Sequence, residues 1–156
     1  MNVYERIEDE SYKDGVNIIK CNFNSPRIKG LYCDGTIGIS NSIKTSVEMG
    51  CVVAEELGHH YTSTGNIIDM AEVKNRKQER QARLWAYNKI IGLRGLIDAY
   101  EYGCRNLYEA AEYLEVTEEF LKECVDCYRE KYGVMVTFDN YCVIFIPHLM
   151  VGKIVN

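Results

Sequence analysis

A stripe of small residues in one predicted helix constrains the fold of this chain more than any other feature. Thr45, followed three residues later by a glutamate, forms a capping box that predicts a helix running to about Tyr61. Gly50, Ala54 and Gly58 recur at every fourth position and therefore share one face of this helix. Each glycine costs a helix about 1 kcal/mol relative to alanine, so the stripe indicates that a neighbouring element must pack closely there.

The same helix carries side chains suited to binding a metal. Glu55 and His59 are four residues apart, so their side chains share one helix face with Cβ atoms about 6 Å apart and can bind one ion. Glu56 projects to one side, where its carboxylate can act on a water molecule beside the metal. The stretch differs by one residue from H-E-x-x-H, in which two histidines bind zinc and the glutamate is a general base. Glu55 stands at the position of the first histidine.

A third metal ligand must come from another element, because a catalytic zinc usually takes three protein ligands. The best candidate is Glu79, near the start of the next predicted helix. If that helix runs antiparallel to the first, Ala82 and Ala86 let the two approach closely and the Glu79 carboxylate returns to the metal. The E-x-x-H spacing alone is also common among surface acids and histidines, and this alternative stays open on spacing alone.

Turn and cap signals divide the rest of the chain into short elements. Asp34-Gly35 predicts a hairpin between residues 28–33 and 36–40. The other predicted elements are helices over 3–12, 73–91, 93–102, 106 onward and 117–131, and strands within 16–23, 134–138 and 141–146. We expect an α+β, mainly helical fold. Residues 1–103 are predicted to form the core, and residues 104–156 a helical pair plus a β-hairpin packed on that core.

Composition excludes several classes of function. The net charge of −5 and pI near 5.3 argue against a broad nucleic-acid-binding surface. The N-terminal residues contain no apolar signal region, and no apolar run approaches the ~20 residues that span a membrane. Seven cysteines in a chain without a secretion signal predict reduced thiols and a cytoplasmic location.

Three segments, in this order, resemble the ImmA/IrrE family of metallo-endopeptidases associated with phages and mobile elements. They are Lys29–Tyr32 with Thr36–Ile39, Ala54–Tyr61, and Glu79–Ala86. The resemblance implies a zincin-like minimal metallopeptidase core, in which His59 and Glu79 occupy metal-ligand positions and Glu56 that of the catalytic base. Glu55 occupies the remaining ligand position with a different residue. Arg83 and Trp85 replace an asparagine and a phenylalanine of the family pattern.

The resemblance also implies an activity and a partner. We expect a metal-dependent endopeptidase that cleaves a helix-turn-helix transcriptional repressor, with no direct nucleic-acid or membrane partner. The expected cofactor is a divalent metal, zinc in the first place. A second carboxylate ligand makes the set harder, so manganese or iron becomes more competitive. An extended substrate is predicted to pair with the strand formed by Thr36, Ile37, Gly38 and Ile39.

Two other functions stay open at this point. A catalytically weak or inactive family member would bind a repressor without cutting it, as an antirepressor. The order of elements over 106–146 also resembles a winged helix-turn-helix module. The predicted second helix of that module carries five acids against three bases, which disfavours contact with DNA phosphates.

Overall fold

A computed structural model of the chain describes residues 1–62 and 72–155, with the backbone alone for residues 72–75. The fold is α+β and mainly helical, as predicted. Its elements in chain order are α1 (Val3–Lys13), β1 (Asn17–Cys21), β2 (Gly30–Cys33), β3 (Thr36–Ser40), α2 (Ser46–Thr62), α3 (Glu72–Ile90), α4 (Gly92–Tyr102), α5 (Leu107–Leu114), α6 (Glu118–Tyr132), β4 (Met135–Phe138), β5 (Tyr141–Ile144) and β6 (Met150–Lys153). The chain divides into two compact units, residues 1–89 and 90–156. No helix in the described ranges is long and apolar enough to cross a bilayer.

The sheet of the N-terminal unit has the order β1-β3-β2. β3 pairs in parallel with β1 and antiparallel with β2, so it lies in the centre of the sheet. The predicted hairpin between β2 and β3 is confirmed. Asp34 and Gly35 form its turn with φ values of 45° and 79°, a left-handed pair that glycine and aspartate tolerate best. Ile37 and Ile39 of β3 are completely or almost completely buried, so this strand anchors the core of the unit.

α2 packs against both α1 and the sheet. The helix begins as predicted, because the Thr45 hydroxyl accepts a hydrogen bond from the Glu48 amide at 3.1 Å. Val53, Ala54 and Leu57 are buried on its inner side. These contacts fix the orientation of the helix, and with it the direction in which its polar residues project.

The glycine stripe of α2 meets a different neighbour at each end. A Cβ atom at Gly58 would lie 2.2 Å from the Ala82 carbonyl oxygen, so the backbones of α2 and α3 touch there. A Cβ atom at Gly50 would lie 3.5 Å from the backbone of Tyr4 in α1, which is an ordinary contact. The predicted close neighbour is therefore confirmed, and Gly58 is the position that requires glycine.

The C-terminal unit contains α4, α5, α6 and a sheet of order β4-β5-β6. The predicted helices are confirmed, and cap residues lie at their ends: Asn106 and Thr117 accept backbone hydrogen bonds at the starts of α5 and α6, and Gly103 ends α4 with a φ of 102°. The hairpin of β4 and β5 is also present, whereas β6 was not predicted. Its four residues follow Pro147 and carry too short a pattern to indicate a strand.

The division into compact units precedes α4, whereas the boundary predicted from sequence follows it. α4 contacts α5, β5 and β6, and it therefore belongs with the C-terminal residues in the folded chain. A glycine helix stop such as Gly103 marks the end of an element, and it carries no information about which elements the helix packs against.

Substituting Gly58 tests the contact between α2 and α3. Gly58→Ala should lower the free energy of unfolding by about 2–4 kcal/mol, because the new methyl group meets backbone that cannot move aside. Urea unfolding followed by circular dichroism measures the change. Gly50→Ala is the matched control: it has ordinary contacts in the same helix and should be neutral or stabilising by up to about 1 kcal/mol. Equal effects of the two substitutions would contradict the assigned contact.

Candidate active site

The contact at Gly58 brings His59 of α2 together with Glu79 of α3. His59 Nε2 lies 3.2 Å from Glu79 Oε1. The His59 side chain is 7% exposed and that of Glu79 is 45% exposed, so the pair lies at the edge of the core with one side open to solvent. Two of the three residues predicted as metal ligands are thus neighbours, although they are twenty positions apart in sequence.

Each member of this pair changes the acidity of the other. Burial alone lowers the pKa of His59, but the hydrogen bond that His59 donates to Glu79 and the charges of Glu79, Glu56 and Glu55 outweigh it and raise that pKa overall. Glu79 accepts this hydrogen bond, which lowers the pKa of Glu79 against a smaller opposing effect of burial. The pair is therefore an imidazolium–carboxylate ion pair over a wider pH range than either group would allow alone.

Glu56 projects from α2 toward the strand β2. Burial raises the pKa of Glu56 to about 7, and the charge of Glu79 adds to the rise. The charge of His59 and a hydrogen bond from the Tyr32 backbone act in the opposite direction. A Cβ atom at Gly30 would lie 3.1 Å from Glu56 Cγ and 3.4 Å from its Oε1, so the absence of a side chain at Gly30 leaves the carboxylate its space.

Tyr32 and His60 form a second polar contact beside this carboxylate. The Tyr32 hydroxyl lies 2.7 Å from His60 Nδ1 and also accepts a hydrogen bond from the Gly35 amide at 3.0 Å. The sequence patterns singled out neither side chain as a candidate site residue. Tyr32 and His60 are 28 positions apart, and only the placement of β2 along α2 brings them together.

Aromatic packing next to the site supports the approach of α3. The rings of Tyr61 and Trp85 stack with their centroids 5.0 Å apart. Tyr61 also donates a hydrogen bond to Asp14, at the end of α1. Trp85, which departs from the phenylalanine of the family pattern, therefore has a packing partner from α2.

The site residues fit a metal in part. Imidazole nitrogen and carboxylate oxygen are both ordinary zinc ligands. His59 supplies the nitrogen and Glu79 the oxygen, and the two atoms are neighbours. The other ring nitrogen of His59, Nδ1, is buried and has no hydrogen-bond partner within residues 1–62 and 72–155. In the same ranges, no three histidine, cysteine, aspartate or glutamate side chains form a group that could hold an ion. Glu55 lies one helical turn before His59, and its part as the third ligand stays a prediction.

The predicted substrate strand has to be corrected. Thr36, Ile37, Gly38 and Ile39 form β3, whose residues pair with β1 on one side and β2 on the other. A peptide cannot add to a strand whose two edges are already bonded. The sequence pattern indicated a strand beside the motif helix, but strand order is set by the sheet as a whole. β2 is the outer strand on the side of Glu56, and its Tyr32 backbone already bonds that carboxylate.

Comparison with known proteins agrees with this geometry. A family model described as the IrrE N-terminal-like domain, Peptidase_M78, matches residues 13–125. No curated protein and no solved structure gives a significant match. The matched range contains β1 to β3, α2 and α3, with Glu55, Glu56, His59 and Glu79. The family model covers well over half of the chain, so this protein belongs to the IrrE N-terminal-like family of metallopeptidases, Peptidase_M78.

Proposed function

We propose that this protein is a metal-dependent endopeptidase in which Glu56 is the general base and Glu55, His59 and Glu79 are the metal ligands. The observation that carries the proposal is the position of Glu56. Its half-buried carboxylate, with a pKa of about 7, lies beside the His59–Glu79 pair and accepts a hydrogen bond from the backbone of β2. Membership in a metallopeptidase family supports a divalent metal at this pair.

The properties of Glu56 suit proton transfer near neutral pH. A general base works best when its pKa is close to the operating pH, because it must both take up and release a proton. A bound divalent ion would polarise the scissile carbonyl and lower the pKa of the attacking water. Glu56 would accept the proton of that water and deliver it to the leaving amine. The Tyr32 amide orients the carboxylate for both steps.

The outer edge of β2 is the proposed place for an extended substrate. The Lys29 carbonyl accepts a hydrogen bond from the Ser40 amide of the central strand β3. Residues that bond the neighbouring strand alternate with residues that do not, so the backbone groups of Gly30 and Tyr32 point away from β3. The Gly30 position also lies against Glu56. A peptide pairing with the Gly30 amide and carbonyl and with the Tyr32 carbonyl would pass beside the base, while the Tyr32 amide stays bonded to Glu56. A helix-turn-helix repressor is the proposed protein substrate, on the resemblance to ImmA/IrrE proteins, and the cytoplasm is the proposed location.

Glu55 sets the proposed choice of metal. Two carboxylates and one imidazole nearly neutralise a divalent ion, whereas two imidazoles and one carboxylate leave it positive. A less positive ion lowers the pKa of a bound water less, so hydrolysis should be slower. Zinc remains the first candidate, and manganese or iron compete better at this harder ligand set than at one with two histidines.

Substitutions at Glu55 test the ligand set directly. Glu55→His restores two histidines and should raise zinc affinity on the order of tenfold, whereas Glu55→Gln should lower it by a similar factor. Titration calorimetry on protein purified without a nickel column measures both. Glu48→His adds a histidine to the first turn of α2 as a control and should leave the affinity unchanged. Glu55 is not a ligand if both substitutions at position 55 leave the affinity at its wild-type value.

Metal content and cleavage test the activity itself. The wild-type protein should bind about one equivalent of a divalent metal and cleave a repressor encoded beside it, as seen by mass analysis of the products. Glu56→Gln should keep the metal and lose at least a hundredfold in cleavage rate, the low end of what a general base contributes. Less than a tenth of an equivalent of metal, with no binding on titration, would refute a metalloenzyme.

The raised pKa of Glu56 predicts a pH-dependent stability in metal-free protein. The folded state holds this proton up to pH 7, whereas an unfolded glutamate releases it near 4.5. The stability that Glu56 contributes is therefore full below pH 4.5 and is lost as the pH rises through 7. Glu56→Gln stays neutral, so its stability relative to wild type should rise by up to about 3 kcal/mol between pH 4.5 and pH 8.

Urea unfolding in the presence of a chelator, at several pH values, measures this difference. Glu118→Gln removes one carboxylate from the surface of α6 and controls for the change in net charge. A difference between wild type and Glu56→Gln that does not change with pH would mean that Glu56 is ordinarily solvated.

The second candidate is a family member that binds a repressor without cutting it. The absence of a three-residue metal group among the described residues favours this candidate. Stable co-purification of the repressor with wild type, with no cleavage after incubation with zinc, manganese or iron, would select it over the peptidase.

A further inference from the structure

The C-terminal unit contains a cavity that the peptidase site does not use. Its volume is about 520 Å³, and it lies between α4, α5, α6 and the segment that leads into β6. The floor is formed by the buried side chains of Leu96, Ala99, Ala110 and Val125. Binding sites for small molecules usually measure about 300–1,000 Å³ and are lined mainly by apolar groups, so this cavity has the size and the floor of such a site.

The charges at the rim of the cavity oppose those of the unit that contains it. Residues 90–156 include six lysines and arginines and eleven aspartates and glutamates. Three of the six bases line the cavity, Arg105, Lys122 and Arg129, but only one of the eleven acids does, Asp126. A concave surface lined by one sign of charge attracts ligands of the opposite sign. The cavity is thus a basic site on an acidic unit.

Two of these bases retain hydrogen-bond donors for a ligand. Arg129 donates from Nε to the Phe145 carbonyl at 3.1 Å and from Nη1 to Asp126 at 2.8 Å, and neither bond uses its Nη2 group. These bonds hold the guanidinium in a fixed orientation at the rim. Lys122 takes part in none of the ion pairs of residues 1–62 and 72–155. Arg105 already forms an ion pair with Glu109, so we expect it to contribute less to ligand binding than Lys122 and Arg129.

We propose that this cavity binds a small amphipathic acid, a molecule with one carboxylate and an apolar body. The apolar part would cover the floor, and the carboxylate would meet Lys122 and Arg129 at the rim. The lining includes residues after 125, among them Arg129, His148 and Met150, where the match to the family model has ended. The site therefore goes beyond the proposed peptidase function and stands independently of it.

Octanoate and octanol are matched probes, because they share an alkyl chain and differ in charge. Titration calorimetry on the full chain should show that octanoate binds at least tenfold more tightly than octanol. Lys122→Gln should weaken octanoate about five- to tenfold and leave octanol unchanged. Lys153→Gln, with the same change of charge in β6 but outside the cavity, should alter neither affinity. Amide NMR shifts should change most at the residues of the floor.

Three results would overturn the proposal. The first is equal affinity for octanoate and octanol, and the second is an equal effect of Lys122→Gln and Lys153→Gln on octanoate. The third is tighter binding of an acidic, leucine-containing peptide than of octanoate, with competition between them, which would assign the cavity to a protein partner. Lys122 is exposed, so its substitution leaves the core intact and these readouts do not depend on a destabilised fold.

Discussion

The backbone contact between Gly58 and Ala82 is the constraint on which the candidate site depends. A residue with a side chain at position 58 would push α3 away from α2, because its Cβ atom would overlap the Ala82 carbonyl. With glycine there, Glu79 reaches His59 and the two side chains lie 3.2 Å apart. Glu55 and His59 of α2 are thereby joined by Glu79 of α3, so residues of two helices form the candidate site. The stack of Tyr61 on Trp85 supports the same approach.

The site concentrates negative charge around one imidazole. Glu55, Glu56 and Glu79 all raise the pKa of His59, and burial together with Glu79 raises that of Glu56 to about 7. The charge of Glu79 raises the pKa of Glu56 because the two carboxylates repel each other, and a divalent cation would relieve that repulsion. In the proposed ligand set, Glu55 in place of histidine would increase this demand for a cation. It would also reduce the positive charge that the bound ion keeps for polarising a substrate.

Family membership and local chemistry supply different parts of the functional argument. The match to the IrrE N-terminal-like domain establishes the metallopeptidase family over residues 13–125. The structure adds details that the family assignment does not contain, such as the Tyr32 backbone on Glu56 and the space left by Gly30. The proposed acid-binding cavity has the reverse chemistry, a basic rim over an apolar floor. The two proposed sites would thus bind ligands of opposite charge.

Short-range patterns in the sequence determined the helices, most strands and the first pair of site residues. A capping threonine, an Asp-Gly turn and a four-residue spacing act within a few bonds of the backbone, so Thr45, Asp34 and the Glu55–His59 pair are readable without a fold. Tertiary structure alone decided that β3 is central and closed to a substrate strand, that β6 exists and that α4 joins the C-terminal unit. It also decided the pKa of Glu56 and the lining of the cavity. These properties depend on burial and on charges from distant residues, which no local pattern encodes.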